Sequence, residues 1–311
     1  MSIAIKRLIS GLVSGLLFST PAFSQPDFDN IDIQTLQVRD NIYMLIGAGG
    51  NITVQVGDDG ILIVDTQYAE MSDKIIKALQ EISDGTLRYI INTHVHGDHV
   101  GGNANMARSG ATISGGNMRR DVSGQTAAIV AHESVLLRLT TTDTDNLMDA
   151  DGWPTSSYFG TKKDLYFNDE GIRVMHLPRA HTDGDSMVFF RKSDVLSVGD
   201  VFRTDSYPFI DMTNGGTIQG FLDAAQSIID QIIPVYGQDG GTLVIPGHGR
   251  LSDLGDVLNW REMLTIIRDR VKNLKDQGHS LEEVLAARPS RDYDPRYGDS
   301  ERFITAVYQT L

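Results

Sequence analysis

Cysteine is absent from all 311 residues. That excludes a disulfide and a lipid-attachment thiol, and any metal must be held by nitrogen and oxygen ligands. Positive charge is scarce: 27 Lys and Arg against 41 Asp and Glu give a formal net charge of −14. This sign disfavours a nucleic-acid partner and leaves a small-molecule substrate as the expected partner. Bound divalent cations would offset part of the excess locally, so an anionic substrate stays compatible. Long apolar runs are also missing. The run Leu8–Phe18, diluted by Ser10, Gly11, Ser14 and Gly15, falls well short of the ~20 residues a membrane span needs. Lys6 and Arg7 precede it and Ala22-Phe23-Ser24 follows, the pattern of a secretory signal peptide. The expectation is therefore a signal peptide over 1–24, cleaved after Ser24, and a single domain over 25–311. Such a chain would be periplasmic or secreted, with no stable membrane association. Losing the two cations Lys6 and Arg7 takes the charge from −14 to −16.

What is present is concentrated in Thr93-His94-Val95-His96-Gly97-Asp98-His99, which holds three of the eight histidines. Neutral imidazole and carboxylate suit zinc and its first-row neighbours. Where a strand leads into a turn, His94 and His96 project toward one point while Asp98 and His99 face another. That spacing suggests two adjacent metals.

Strand signals crowd the first part of the chain at 33–38, 41–46, 51–56 and 60–64, separated by Gly, Asp and Asn, and read as an antiparallel meander. A helix over about 70–82 places Met71, Ile75, Ile76 and Leu79 on one face, and the strand 87–91 leads into the histidine segment. A second round follows, with a helix from near Asp98, a short strand at 111–114 and helical segments to about Leu139. The aperiodic stretch 140–160 carries Trp153, Tyr158 and Phe159 and reads as a long loop on a binding-site rim. Strands return at 164–167, 171–177, 186–191 and 194–198. After an aromatic loop over 201–217 come a helix at 218–235 and a strand at 242–245. Val257, Trp260, Leu264, Ile267, Val271 and Leu274 then mark one buried helical stripe, and Ser280 with Glu283 forms a capping-box pattern. The interleaving predicts an α+β fold of two sheets packed face to face with helices outside.

Three further candidates stand at turns after strands: His181, Asp200 and His248, each beside Gly or Pro. With the first segment they make seven ligands, enough for two metals with open positions. The His-x-His-x-Asp-His segment followed in order by His181, Asp200 and His248 resembles the metallo-β-lactamase superfamily across essentially the whole mature chain. The resemblance implies a four-layer αββα sandwich. It further implies two Zn2+, with Fe or Mn as other metals the site accepts: His94, His96 and His181 on the first metal, Asp98, His99 and His248 on the second, and Asp200 between them. Water held between two such cations is deprotonated near neutral pH and attacks a polarised carbonyl, with Asp98 orienting the proton.

Departures from the β-lactamases of this fold bear on the substrate. The group with a cysteine ligand carries Cys where Asp200 stands and Arg where His99 stands, and an Asp bridge is more similar to glyoxalase II, the acyl-homoserine lactonases and phosphodiesterases. His181-Thr182-Asp183-Gly184-Asp185 and Pro246-Gly247-His248-Gly249 are nonetheless similar to lactamase segments. Arg203 falls where that group has a substrate-carboxylate lysine, and Asn214 falls near its oxyanion-site asparagine. Phe209, with Phe202, Tyr207 and Met212, is a candidate pocket wall, and Trp153 a rim residue. The expected function is an exported dinuclear zinc hydrolase of a β-lactam-like, lactone or thioester bond. Its alternatives are an iron-dependent oxidoreductase similar to persulfide dioxygenases and a phosphodiesterase.

Overall fold

The computed structural model describes residues 26–112, 126–141, 148–232 and 240–311. The expected signal peptide, 1–24, lies outside the described residues. The meander forms as expected: β1 (Gln34–Arg39), β2 (Ile42–Ile46), β3 (Ile52–Gly57) and β4 (Gly60–Val64) pair antiparallel in chain order. Helix α1 (Ser72–Ile82) follows, burying Ile75 and Leu79, and β5 (Leu87–Ile91) joins β4 in parallel. Two short helices, α2 (Gly97–Val100) and α3 (Asn103–Ser109), succeed it.

The second round departs from expectation. Ala111 and Thr112 belong to no strand, and residues 113 and 114 lie outside the described residues. The strand that pairs with β5 is β6 (Ala128–His132), in a stretch expected to be helical. Flanked by neighbours on both sides and covered on both faces, β6 is apolar without alternation, and its pattern cannot be told from a helix by period. Helix α4 (Glu133–Thr141) starts directly after it, and β7 (Ser156–Tyr158) lies on the sheet edge inside the stretch read as a loop. Residues 142–147 of that stretch lie outside the described residues.

The second sheet runs β8 (Lys162–Phe167), β9 (Glu170–His176), β10 (Ser186–Phe190) and β11 (Val195–Ser197), all antiparallel, with β12 (Leu243–Ile245) parallel to β11. Helix α5 (Ile218–Ile232) comes between β11 and β12; residues 233–235 of the expected helix lie outside the described residues. The chain closes with α6 (Leu254–Asp276), α7 (Leu281–Ala286), α8 (Asp294–Tyr297) and α9 (Glu301–Thr310), and the Ser280–Glu283 capping box opens α7.

Strand alternation distributes the apolar side chains into three layers. Leu62 and Val64 of β4 point between the sheets with Ile91, Val174 and Val188, while Ile61 and Ile63 point outward against Ile75 and Met106. On the far side, Leu196 and Val244 meet Phe221, Ile228, Trp260 and Ile267 of α5 and α6. The order is helix, sheet, sheet, helix, the expected four-layer αββα sandwich. The parallel strands β5, β11 and β12 end at one edge, where Asn51 joins the sheets by donating to Pro246 O (2.9 Å) and Gly249 O (3.0 Å).

Candidate metal centre

The turns leaving these strand ends, with the turn between β9 and β10 that carries His181, bring His94, His96, His99, His181, His248, Asp98 and Asp200 together. His94, His96 and His181 form one group whose ligand atoms could share an ion, and Asp98, His99 and His248 form another. Asp200 stands between: its Oδ1 is 3.1 Å from His99 Nε2 and 3.4 Å from His248 Nε2, and its Oδ2 is 3.9 Å from His181 Nε2.

Four of the five rings are anchored by their outward nitrogen. His94 Nδ1 donates to Thr93 Oγ1 (3.0 Å), whose own proton goes to Asp65 Oδ2 (2.7 Å). His96 Nε2 donates to Asp211 Oδ2 (2.8 Å), His181 Nδ1 to Phe209 O (2.6 Å), and His99 Nδ1 to Asp65 Oδ2 (2.7 Å). Such anchors fix ring orientation and aim the inward nitrogens, the atoms free to bind a metal, into the centre. Those nitrogens face one another: His96 Nδ1 and His181 Nε2 are 2.7 Å apart, and His99 Nε2 and His248 Nε2 3.3 Å apart.

This donor set fits a divalent cation. His94 Nε2 and Asp200 Oδ1 are buried and have no hydrogen-bond partner among the described residues, a costly state unless a positive ion fills the space between them. Glycine makes the approach of the ligands possible. A Cβ at Gly50 would run into the His99 ring, and one at Gly247 into the Asp200 carboxylate. Asp65 also lies within range of His94 and His99. Its oxygens are already spent: Oδ1 accepts from Thr93 N (2.8 Å), and Oδ2 from Thr93 Oγ1 and His99. It is an orienting residue.

The two groups differ in charge. Burial holds His94 well below the usual imidazole range, with His99 and His181 adding to the effect, and burial brings His181 down to about 4. Burial also disfavours charge on His99 and His248, but the Asp200 and Asp98 carboxylates outweigh it, raising His99 well above its ordinary value and His248 to about 9. Burial alone would raise Asp98, yet His99 and His248 bring it down to about 2.

The expected substrate contacts divide. Arg203 and Phe209 line an open cavity of about 430 Å³ together with Tyr68, His96, Asp98, Asp200 and His248. Phe209 stacks on His96, ring centroids 5.8 Å apart. Arg203 gives Nε and Nη2 to Asp205 at 2.8 and 3.0 Å, and its Nη1 lies 3.8 Å from Asp200 Oδ2. Asn214 is not on the cavity wall; its Nδ2 donates to Asp211 Oδ2 (2.6 Å), the carboxylate that anchors His96. Trp153 likewise turns away, donating Nε1 to Met148 O (3.0 Å) and packing near Val100 and Val135. Sequence reasoning passed over Asp65, Asp211 and Tyr68. For Asp65 a signal existed in an acidic residue closing an apolar strand, but for Asp211 none marks a partner 115 positions from His96.

Residues 45–248 match the family model described as the metallo-beta-lactamase superfamily. A metallo-beta-lactamase type 2 of Bacillus cereus is 21% identical over 210 residues, covering 66% of this chain and 69% of the relative. Among solved structures, DIM-1 metallo-beta-lactamase superposes with a TM-score of 0.56 at 18% identity, over 76% of this chain and 99% of its own. The sec-alkylsulfatase Pisa1 from Pseudomonas sp. superposes with a TM-score of 0.64 at 14% identity, over 89% of this chain and 50% of its own.

Proposed function

Since the chain belongs to the metallo-beta-lactamase superfamily, we propose that it is an exported hydrolase holding two zinc ions and cleaving a carbonyl–heteroatom bond in a small substrate. The bond is that of a β-lactam, lactone or thioester. The observation that carries this reading is the set of anchored imidazoles whose inward nitrogens converge on two neighbouring points, with the Asp200 carboxylate between. His94, His96 and His181 would hold one zinc and Asp98, His99 and His248 the other. Zinc so held polarises a carbonyl oxygen and lowers the pKa of water toward neutrality.

The chain's own residues supply the rest. Asp98, part-exposed on the cavity wall, orients the attacking water and its proton. Asp65 and Asp211 keep the rings aimed, so the site does not reorganise as charge develops. Phe209, stacked on His96, offers an apolar surface to the part of the substrate beyond the reacting bond. The sheets and buried rings close the opposite side to water.

The test is a hydrolysis screen of zinc-loaded protein against β-lactams, lactones, thioesters, phosphodiesters and alkyl sulfates, with elemental analysis of protein expressed without metal bias. The expected result is about two zinc per chain and turnover of at least one of the first three classes. Protein that holds zinc and turns over none of them overturns the reading. Iron with oxygen consumption replaces it by an oxidoreductase, and turnover of only the last two classes by an esterase of another acid.

A further inference from the structure

The side chains lining the cavity can be sorted by what they have left to offer a substrate. His96, Asp98, Asp200 and His248 belong to the ligand set, and Phe209 has no polar atom. Arg203 lies in the grip of Asp205, with its remaining nitrogen toward Asp200. That leaves Tyr68, whose hydroxyl has no hydrogen-bond partner among the described residues.

Tyr68 is also delivered to this wall at a cost. The connection after β4 places two non-glycine residues in the left-handed region, Asp65 at φ 66 and Gln67 at φ 54. Strain of this kind costs on the order of 1 kcal/mol per residue and persists only where the surroundings over-determine it. The Asp65 conformation is accounted for by its grip on Thr93 and His99. Gln67 is pinned by Gly102 N donating to its carbonyl (2.9 Å) and Gly49 N to its Oε1 (3.3 Å), and the residue it turns into the cavity is Tyr68. The ring is braced from behind by Phe28, edge-on at 5.3 Å. Phe28 is itself clasped by Lys74, whose Nζ donates to Phe28 O, Asp29 O and Ile31 O at 2.9, 2.9 and 2.7 Å.

The geometry points to Tyr68 as a catalytic residue, its phenol donating a hydrogen bond to the substrate atom that gains negative charge as the scissile bond breaks. The assignment rests on the hydrolase reading above. No proton leaves the phenol. A tyrosine hydroxyl ordinarily titrates at about 10, so it is a neutral donor at physiological pH. A preorganised donor of this kind is worth roughly 100-fold in turnover.

The test compares zinc-loaded wild type with Tyr68→Phe, which keeps the ring and removes only the hydroxyl. Three measurements are made: hydrolysis of the panel, binding of phenylphosphonate as a tetrahedral anion probe, and zinc content with Tm. The variant is expected to lose roughly 100-fold in kcat with KM changed less than about threefold. Phenylphosphonate should bind it about tenfold more weakly, with zinc content and Tm unchanged. Wild type that hydrolyses nothing but binds the phosphonate in a Tyr68-dependent way ends the hydrolase reading and keeps Tyr68 as the anion donor. Wild-type turnover matched within twofold by the variant overturns Tyr68 alone, as does loss of zinc or a lowered Tm, which would make it a packing residue. Neither hydrolysis nor phosphonate binding by the wild type overturns both.

Discussion

The two halves of the candidate metal centre are built differently. His94, His96 and His181 are three imidazoles, with His94 and His181 almost fully buried at 1% and 0% exposure. Asp98, His99 and His248 include a carboxylate, border Asp200, and leave the Asp98 and His248 side chains 24% and 18% exposed. Without metal, burial disfavours a proton on His94 and His181 of the first group. The second is a charged cluster in which protons already balance the carboxylates. A cation entering the first group meets less competition from protons than one entering the second, where the carboxylates hold protons on His99 and His248. The first should therefore be the tighter, structural half and the second the exchangeable one.

The largest effect that would break this contrast comes from deleting one ligand on each side. His96→Ala should abolish turnover, by more than about 1000-fold, and empty the first position; His248→Ala should leave one zinc bound and cost less. Elemental analysis beside initial rates checks it, and equal zinc loss from both variants would erase the distinction. The anchoring carboxylates sharpen it further. Asp65→Asn should weaken the weaker-bound zinc about 10- to 100-fold, and Asp211→Asn the tighter-bound one by a similar factor, measured by competition with a chelator.

A third experiment separates the protons of the centre from others nearby. His132 stacks on His176 at 3.6 Å, and burial with that neighbour brings it down to about 4. Its folded-state pKa lies below the unfolded value near 6.5, so the folded state resists protonation. The stabilisation is complete above pH 6.5 and is lost as pH falls toward 4, by at most about 3 kcal/mol. Tm of metal-free protein from pH 7 to 4 should fall more steeply for wild type than for His132→Gln; parallel curves would remove His132 as the cause. The smallest effect is expected for Asn214→Ala, about 1 kcal/mol or less through Asp211, seen as a few-fold loss of zinc affinity without loss of fold.

Much of the candidate site was legible because a dense histidine segment has few other uses and the later candidates sit near Gly and Pro in turns after strands. The meander and the α6 stripe were legible from period. β6 was not, since a strand buried on both faces carries no alternation and runs straight into α4. Asp211, Asn214 and Tyr68 were hidden for another reason. Their roles exist only once loops distant in sequence are folded against the histidines, and a lone Asp, Asn or Tyr in a loop announces nothing. Trp153 misled in the opposite direction: an aromatic in a polar stretch looked like a rim residue and instead packs inward.

Gly50 and Gly247, pressed against His99 and Asp200, also set where this molecule can change over generations. Almost any side chain at those two positions would push a ligand aside, so drift there ends in an inert protein. Phe209, on the cavity wall and 37% exposed, carries no such restriction. New substrates would accordingly be acquired by replacing the rim around an immutable floor, and a random library screened for a new activity should return its hits at the rim and none at the two glycines.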